Sequence, residues 1–176
     1  MKPNCTITSV IVLLFILCSC SSGIENEKLL DFQKINKNKT LYIDQSPNAP
    51  SCNVKLSVHY IKDNSNRGTN INNTISKRLL DISNVPMEQA VDSFICQYCK
   101  GYIKTLAPLY KHDKNDKSKH KWYEYRYSIS TEIIQEHDDY TAYIATLDFY
   151  EGGAHGIKQI FSMNFDVSTG KNIYLK

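Results

Sequence analysis

Three consecutive runs near the C-terminus alternate apolar and polar residues almost without fault, and they restrict the fold more than any other feature. Over residues 122–135, Tyr123, Tyr125, Tyr127, Ile129, Thr131 and Ile133 share one side of an extended chain, with Glu124, Arg126, Ser128, Ser130 and Glu132 on the other. Residues 140–150 repeat the pattern through Tyr143, Ala145, Leu147 and Phe149, and residues 157–167 through Phe161, Met163, Phe165 and Val167. Successive side chains of a strand point to opposite faces, so each run predicts a strand with one buried and one wet face. That is the pattern of antiparallel sheets, because parallel strands are normally covered on both faces. Asp138-Asp139, Gly152-Gly153-Ala154-His155-Gly156 and Ser168-Thr169-Gly170-Lys171 supply the turns, and a short strand over 172–175 closes the series.

Upstream, residues 52–61 alternate in the same way through Val54, Leu56, Val58 and Tyr60, and a shorter strand is expected over 40–44. Two helices follow. Ile71, Ile75, Leu79 and Ile82 keep helical spacing over 71–82, with an Asn or Thr as N-cap. Pro86 opens a longer helix over 86–111, whose apolar stripe is Val91, Phe94, Ile95, Tyr98, Tyr102 and Leu106, and Pro108 is expected to kink or end it. Residues 111–121 form a charged connector, expected as a solvated loop. Two amphipathic helices packed on one face of an antiparallel β-sheet give an α+β fold.

The N-terminus sets the compartment. Lys2 precedes an apolar run from Ile7 to Leu17 that is shorter than the ~20 residues a bilayer crossing needs and suits a signal-peptide core. The run ends in Leu17-Cys18-Ser19-Cys20, which resembles a bacterial lipobox. Residues 1–19 are therefore expected to be a cleaved lipoprotein signal peptide. Cys20 would carry the lipid (a thioether diacylglycerol with a further palmitate-type chain), 20–39 would be a flexible tether, and 40–176 the folded domain. Two or more acyl chains anchor stably where one does not. The expected location is the cell envelope, lipid-anchored on the periplasmic or outer-membrane face.

Removing Lys2 from the 21 basic residues leaves 20 against 18 acidic ones, so no basic excess points to nucleic acid. Cys52, Cys96 and Cys99 remain after processing. Cys96-Gln97-Tyr98-Cys99 falls mid-helix rather than at a helix N-terminus, where a reactive thiolate would be stabilised, and no second such pair completes a zinc site. One cysteine is expected to pack as a small apolar residue, with Cys52 available to pair with Cys96 or Cys99. His59, His112, His120, His137 and His155 show no metal-binding spacing, so neither a metal nor another cofactor is expected.

Three stretches in this order, Ile71-Asn72-Asn73-Thr74-Ile75, Tyr150-Glu151-Gly152-Gly153-Ala154-His155-Gly156 and Asn164-Phe165-Asp166-Val167-Ser168-Thr169-Gly170-Lys171, resemble the extracytoplasmic domain shared by RsiV-type anti-sigma factors and PdaC-type peptidoglycan deacetylases. Such proteins usually continue beyond the T-G-K strand, whereas this sequence stops at Lys176, so a form lacking that continuation is expected. The family's deacetylase and sigma-binding activities lie outside this domain. The resemblance implies an outward-facing binding or sensing role, and in RsiV-type proteins the domain binds lysozyme.

The candidate ligand-binding residues are Tyr150, Gly152, Gly153 and His155. Glycines in that run suit a bulged turn, with His155 fixing it by a local hydrogen bond. The Tyr123, Tyr125, Tyr127 row suits either core packing or stacking on sugar rings. The reading is a non-catalytic, membrane-anchored lipoprotein that recognises a lysozyme-like protein or peptidoglycan, with no catalytic residue. Its alternative is an accessory polysaccharide deacetylase or hydrolase with weak activity centred on His155.

Overall fold

The computed structural model describes residues 30–136 and 138–174; the expected signal peptide, Cys20, the first part of the expected tether, His137, Leu175 and Lys176 lie outside them. The order of elements is β1 (Phe32–Tyr42), β2 (Ser51–Ile61), α1 (Asn66–Leu80), α2 (Met87–Asp113), a 3-10 segment (Lys117–Tyr123), β3 (Tyr125–Glu136), β4 (Tyr140–Glu151), β5 (Ile157–Asp166) and β6 (Asn172–Ile173). The six strands form one sheet in sequence order. This is the α+β fold expected. No helix among the described residues is long and apolar enough to cross a membrane.

Two features depart from the expectation. The sheet is mixed, because β2 and β3 run parallel, from Cys52 beside Tyr125 to Ser57 beside Ser130. Parallel neighbours need a long crossover, and the two helices between these strands are that crossover; every other pair is antiparallel. The second departure is β1, which runs along β2 from Phe32 beside Ile61 to Tyr42 beside Ser51. The tether expected to reach residue 39 therefore gives way to strand at Phe32. Periodicity misses β1 because Lys37 and Lys39 take helix-side positions where apolar residues would stand in a covered strand, leaving Phe32, Ile35 and Leu41 to face inward. An edge strand held by its backbone ladder and studded with lysine is a common way of blocking further pairing.

The helices lie over one face of the sheet. Ile71, Ile75 and Leu79 of α1 and Ala90, Val91 and Leu106 of α2 are buried against Cys52, Val54, Leu56 and Val58 of β2, Ile129 of β3, Tyr143 and Ala145 of β4, and Met163 and Phe165 of β5. Helix α1 starts a turn and a half before the predicted residue 71. Ser65 caps it, with its hydroxyl oxygen accepting from the Gly68 amide at 3.0 Å. Helix α2 continues past Pro108 to Asp113. Leu106 and Tyr110, both buried, hold its last turns on the core despite the missing amide. The charged connector is also more ordered than expected. Asp116 accepts from the Ser118 amide at 3.1 Å, and Lys119 pairs with Asp113 at 2.7 Å.

Cys52, Cys96 and Cys99 are free thiols. Cys52 and Cys99 are buried as neighbours between β2 and α2, unbridged, and Cys96 is exposed.

Candidate functional site

Two of the three diagnostic stretches are structural. The Asn72 side chain continues the β2 ladder: its Nδ2 donates to the Ile61 carbonyl at 2.6 Å, and its Oδ1 accepts from the Ile61 amide at 2.9 Å. Asn73 Oδ1 accepts from the Asn84 amide at 3.0 Å. In the D-x-x-T-G-K turn, Asp166 Oδ1 accepts from the hydroxyls of Ser168 and Thr169 and from the Thr169 amide, each at 2.7 Å. These donors hold the carboxyl down at a pKa of about 2. The turn docks on the start of α1, where Arg67 donates to the Val167 carbonyl at 3.1 Å and Asn70 to the Thr169 carbonyl at 2.9 Å.

The third stretch is the β4–β5 turn, and it is pinned from two directions. Gly152 and Gly153 take φ of +76° and +101°, which side chains other than hydrogen disfavour. Gly152 presses on the carbonyl of Trp122, so no β-carbon fits between them. The Tyr150 hydroxyl reaches the Gly153 carbonyl at 2.9 Å and the Lys121 carbonyl at 3.2 Å. It thus ties the turn to the 3-10 segment. Tyr150 therefore does the fixing expected of His155, which is exposed and makes no hydrogen bond among the described residues.

Tyr150 and Glu151, adjacent in sequence, serve opposite faces of the sheet. Glu151 points to the helix side and accepts from the Tyr98 hydroxyl at 2.7 Å. Tyr98, Phe94, Tyr127 and Phe149 form one ring cluster there, with centroids 4.8 to 6.0 Å apart. Burial pushes the Tyr127 hydroxyl up to about 12, and burial with the Glu151 hydrogen bond raises Tyr98 further. These hydroxyls stay protonated at any physiological pH. The predicted tyrosine row thus serves the core, and it is broken: Tyr123 belongs to the 3-10 segment and donates to Asp113 Oδ2 at 2.7 Å.

On the opposite, helix-free face, the Arg126 guanidinium lies over the Tyr150 ring, 5.4 Å from its centroid. Beside it is a hollow of about 540 Å3 whose walls include Asn53, Lys55, Glu124, Arg126 and Asp148. Glu124 is oriented there by the Ser51 amide at 3.2 Å and hydroxyl at 3.3 Å. Trp122, two residues before Glu124, is 57% exposed. The hollow offers donors, acceptors and charges of both signs at a rigid, aromatic-edged margin. Sequence reasoning found Tyr150 and the glycines but passed over Arg126, Glu124, Asp148 and Trp122. The three charged residues stand only as outward-facing polar positions of predicted strands, which any wet face shows, and Trp122 stands at a predicted strand's first residue.

The fold has a solved counterpart. A member of the DUF3298 family from Bacteroides fragilis superposes with a TM-score of 0.76 at 25% sequence identity, over 85% of this chain and 60% of that one. DUF3298 is the domain found in RsiV- and PdaC-type proteins, the resemblance that the three stretches carry. A DUF3298 protein from Pseudomonas aeruginosa is more distant, with a TM-score of 0.48 at 14% identity over 84% of this chain and 56% of that one. The present chain thus spans less than two thirds of the length of either. No protein-family model and no curated relative matches the sequence.

Proposed function

We propose that the chain is a lipid-anchored, extracytoplasmic binding module without catalytic activity, and that its ligand, a lysozyme-like protein or a peptidoglycan strand, seats on the helix-free face beside Tyr150. The observation carrying this reading is the stack of Arg126, which lines a polar hollow, on Tyr150, whose hydroxyl is held by the Gly153 and Lys121 carbonyls. A preformed rim loses little conformational entropy on binding, and stacked Arg, Tyr and Trp are the side chains that anchor protein interfaces and sugar rings.

The test is retention of the purified chain on immobilised lysozyme and on insoluble peptidoglycan. The wild-type chain should be held by one of them, and Arg126→Ala and Trp122→Ala should each weaken retention about tenfold, the scale of an interface anchor. Both side chains leave the core untouched, so the melting temperature should hold. Retention on neither, or retention indifferent to both substitutions, overturns the proposal. So does sugar deacetylation that His155→Ala abolishes.

A further inference from the structure

A second concavity has no part in that reading. Between the edge strand β1 and the outer side of α2 lies a groove of about 510 Å3, within the range of about 300–1,000 Å3 typical of small-molecule sites. Its floor is Leu41, Ile95, Cys99 and Ile103, with the exposed thiol of Cys96 at its margin. Asp92 borders one end and is neutralised by Lys37 at 3.0 Å. Lys39, Lys100 and Lys104 rim the rest, and none of them forms an ion pair among the described residues.

Asp92 and Lys104 are twelve residues apart on one helix, so the trough extends for about 18 Å. Its ends differ in charge: one is closed by a matched ion pair, and the other carries unmatched cations. Lys100 and Lys104 stand one helical turn apart, where like charges repel, and Lys39 borders the same groove from β1. An anion among the three would relieve that repulsion, while the floor needs an apolar body with no hydrogen bonds to satisfy. A peptide backbone would leave amides facing Leu41, Ile95 and Ile103 unpaired; an alkyl chain would not.

We propose that this groove binds a single-chain anionic amphiphile, a fatty-acid-like alkyl carboxylate, with its head group at Lys39, Lys100 and Lys104 and its chain along Ile103, Cys99 and Ile95. The alkyl chain would pass beside Cys96 at the groove's margin, which gives the site its own reporter.

The experiment follows alkylation of Cys96 in the full-length chain by N-ethylmaleimide, located by peptide mass mapping, with dodecanoate added below its aggregation concentration. Dodecanoate should slow the reaction at Cys96 in a saturable manner. The uncharged dodecanol should need about ten times the concentration, for want of the charge-assisted contacts. In the Lys100→Ala/Lys104→Ala double variant dodecanoate should lose that advantage, with dodecanol unchanged. No protection by dodecanoate overturns the proposal, as does equal protection by the anion and the alcohol in the wild-type chain. Protection by an acidic peptide and not by dodecanoate also overturns it, and would assign the groove to a polypeptide strand added at β1.

Discussion

A β-carbon on Gly152 would stand 2.4 Å from the carbonyl oxygen of Trp122, inside any tolerated contact. Backbone is the obstacle, so relief requires the 3-10 segment to move away from the β4–β5 turn. Gly153, at φ +101°, faces open space. Gly153→Ala should therefore cost only the backbone strain, about 1–3 kcal/mol. Gly152→Ala should cost that and the clash together, and should also loosen ligand retention at Arg126. Paired melting curves check the ranking: equal destabilisation by the two variants would show that the Trp122 contact is not tight.

Asp166 gives the protein an acid-sensitive turn. Its carboxyl is held at a pKa of about 2, against an ordinary 3.8, chiefly by the Thr169 and Ser168 hydroxyls. A group with a depressed folded-state pKa stabilises fully above its unfolded value and loses that contribution as pH falls through the folded one. Stability should therefore decline between about pH 4 and pH 2, and Asp166→Asn should be less stable at neutral pH but flatter across that window. Denaturant midpoints at pH 6, 4 and 2.5 for both chains decide it.

The contrast between β1 and the C-terminal strands shows what a sequence of this kind reveals. Strands β3, β4 and β5 are legible because each lies within the sheet and buries one face, so burial imposes period-two spacing on Ile129, Tyr143, Ala145, Met163 and Phe165. Strand β1 lies at the edge, and its pairing is specified by backbone hydrogen bonds to β2, which no side-chain pattern records. The parallel register of β2 and β3 was equally hidden, since direction depends on how a crossover packs and not on alternation. The candidate site was half legible. Glycine with positive φ is visible as Gly152-Gly153, but the stacking of Arg126 on Tyr150 arises from β3 and β4 lying side by side, twenty-four residues apart in the chain. Trp122, whose carbonyl abuts the turn, sits in the 3-10 segment where the first residue of a strand is expected.

Among the three cysteines described, reactivity should follow burial. Burial, with the neighbouring Cys99 thiol, pushes Cys52 up to about 12 from 9.0, a difference that lowers its thiolate fraction at neutral pH about a thousandfold. Burial also raises Cys99, whereas Cys96 is exposed on α2. A limiting amount of maleimide should label Cys96 well before the other two, which should react only as the chain unfolds. Early labelling of Cys52 would show that α2 opens away from β2 in the native state.

Core and surface isoleucines should separate cleanly. Ile75 of α1 is fully buried, whereas Ile160 of β5 is 66% exposed. Ile75→Ala should destabilise by about 2–5 kcal/mol, combining lost transfer energy with a cavity between α1 and the sheet. Ile160→Ala should stay within about 0.5 kcal/mol of the parent chain. Urea midpoints measure both, and a large loss at Ile160 would reveal packing on the helix-free face that its exposure denies.

The proposed anchor rests on chemistry at one thiol. If Cys20 is modified, cells fed an alkyne-tagged palmitate should yield a chain whose label survives boiling in detergent and organic extraction. Amphiphile held in the β1–α2 groove would be stripped by the same treatment, so the two modes of lipid binding separate in one gel. Cys20→Ala should abolish the covalent label and release the chain from membranes, because a thioether cannot form without sulfur and a bare tether holds no acyl chain in the bilayer. Lys100→Ala/Lys104→Ala should leave the label intact. Persistent label in Cys20→Ala would place the modification on another residue or show it to be adventitious, and would remove the ground for locating the domain outside the cytoplasm.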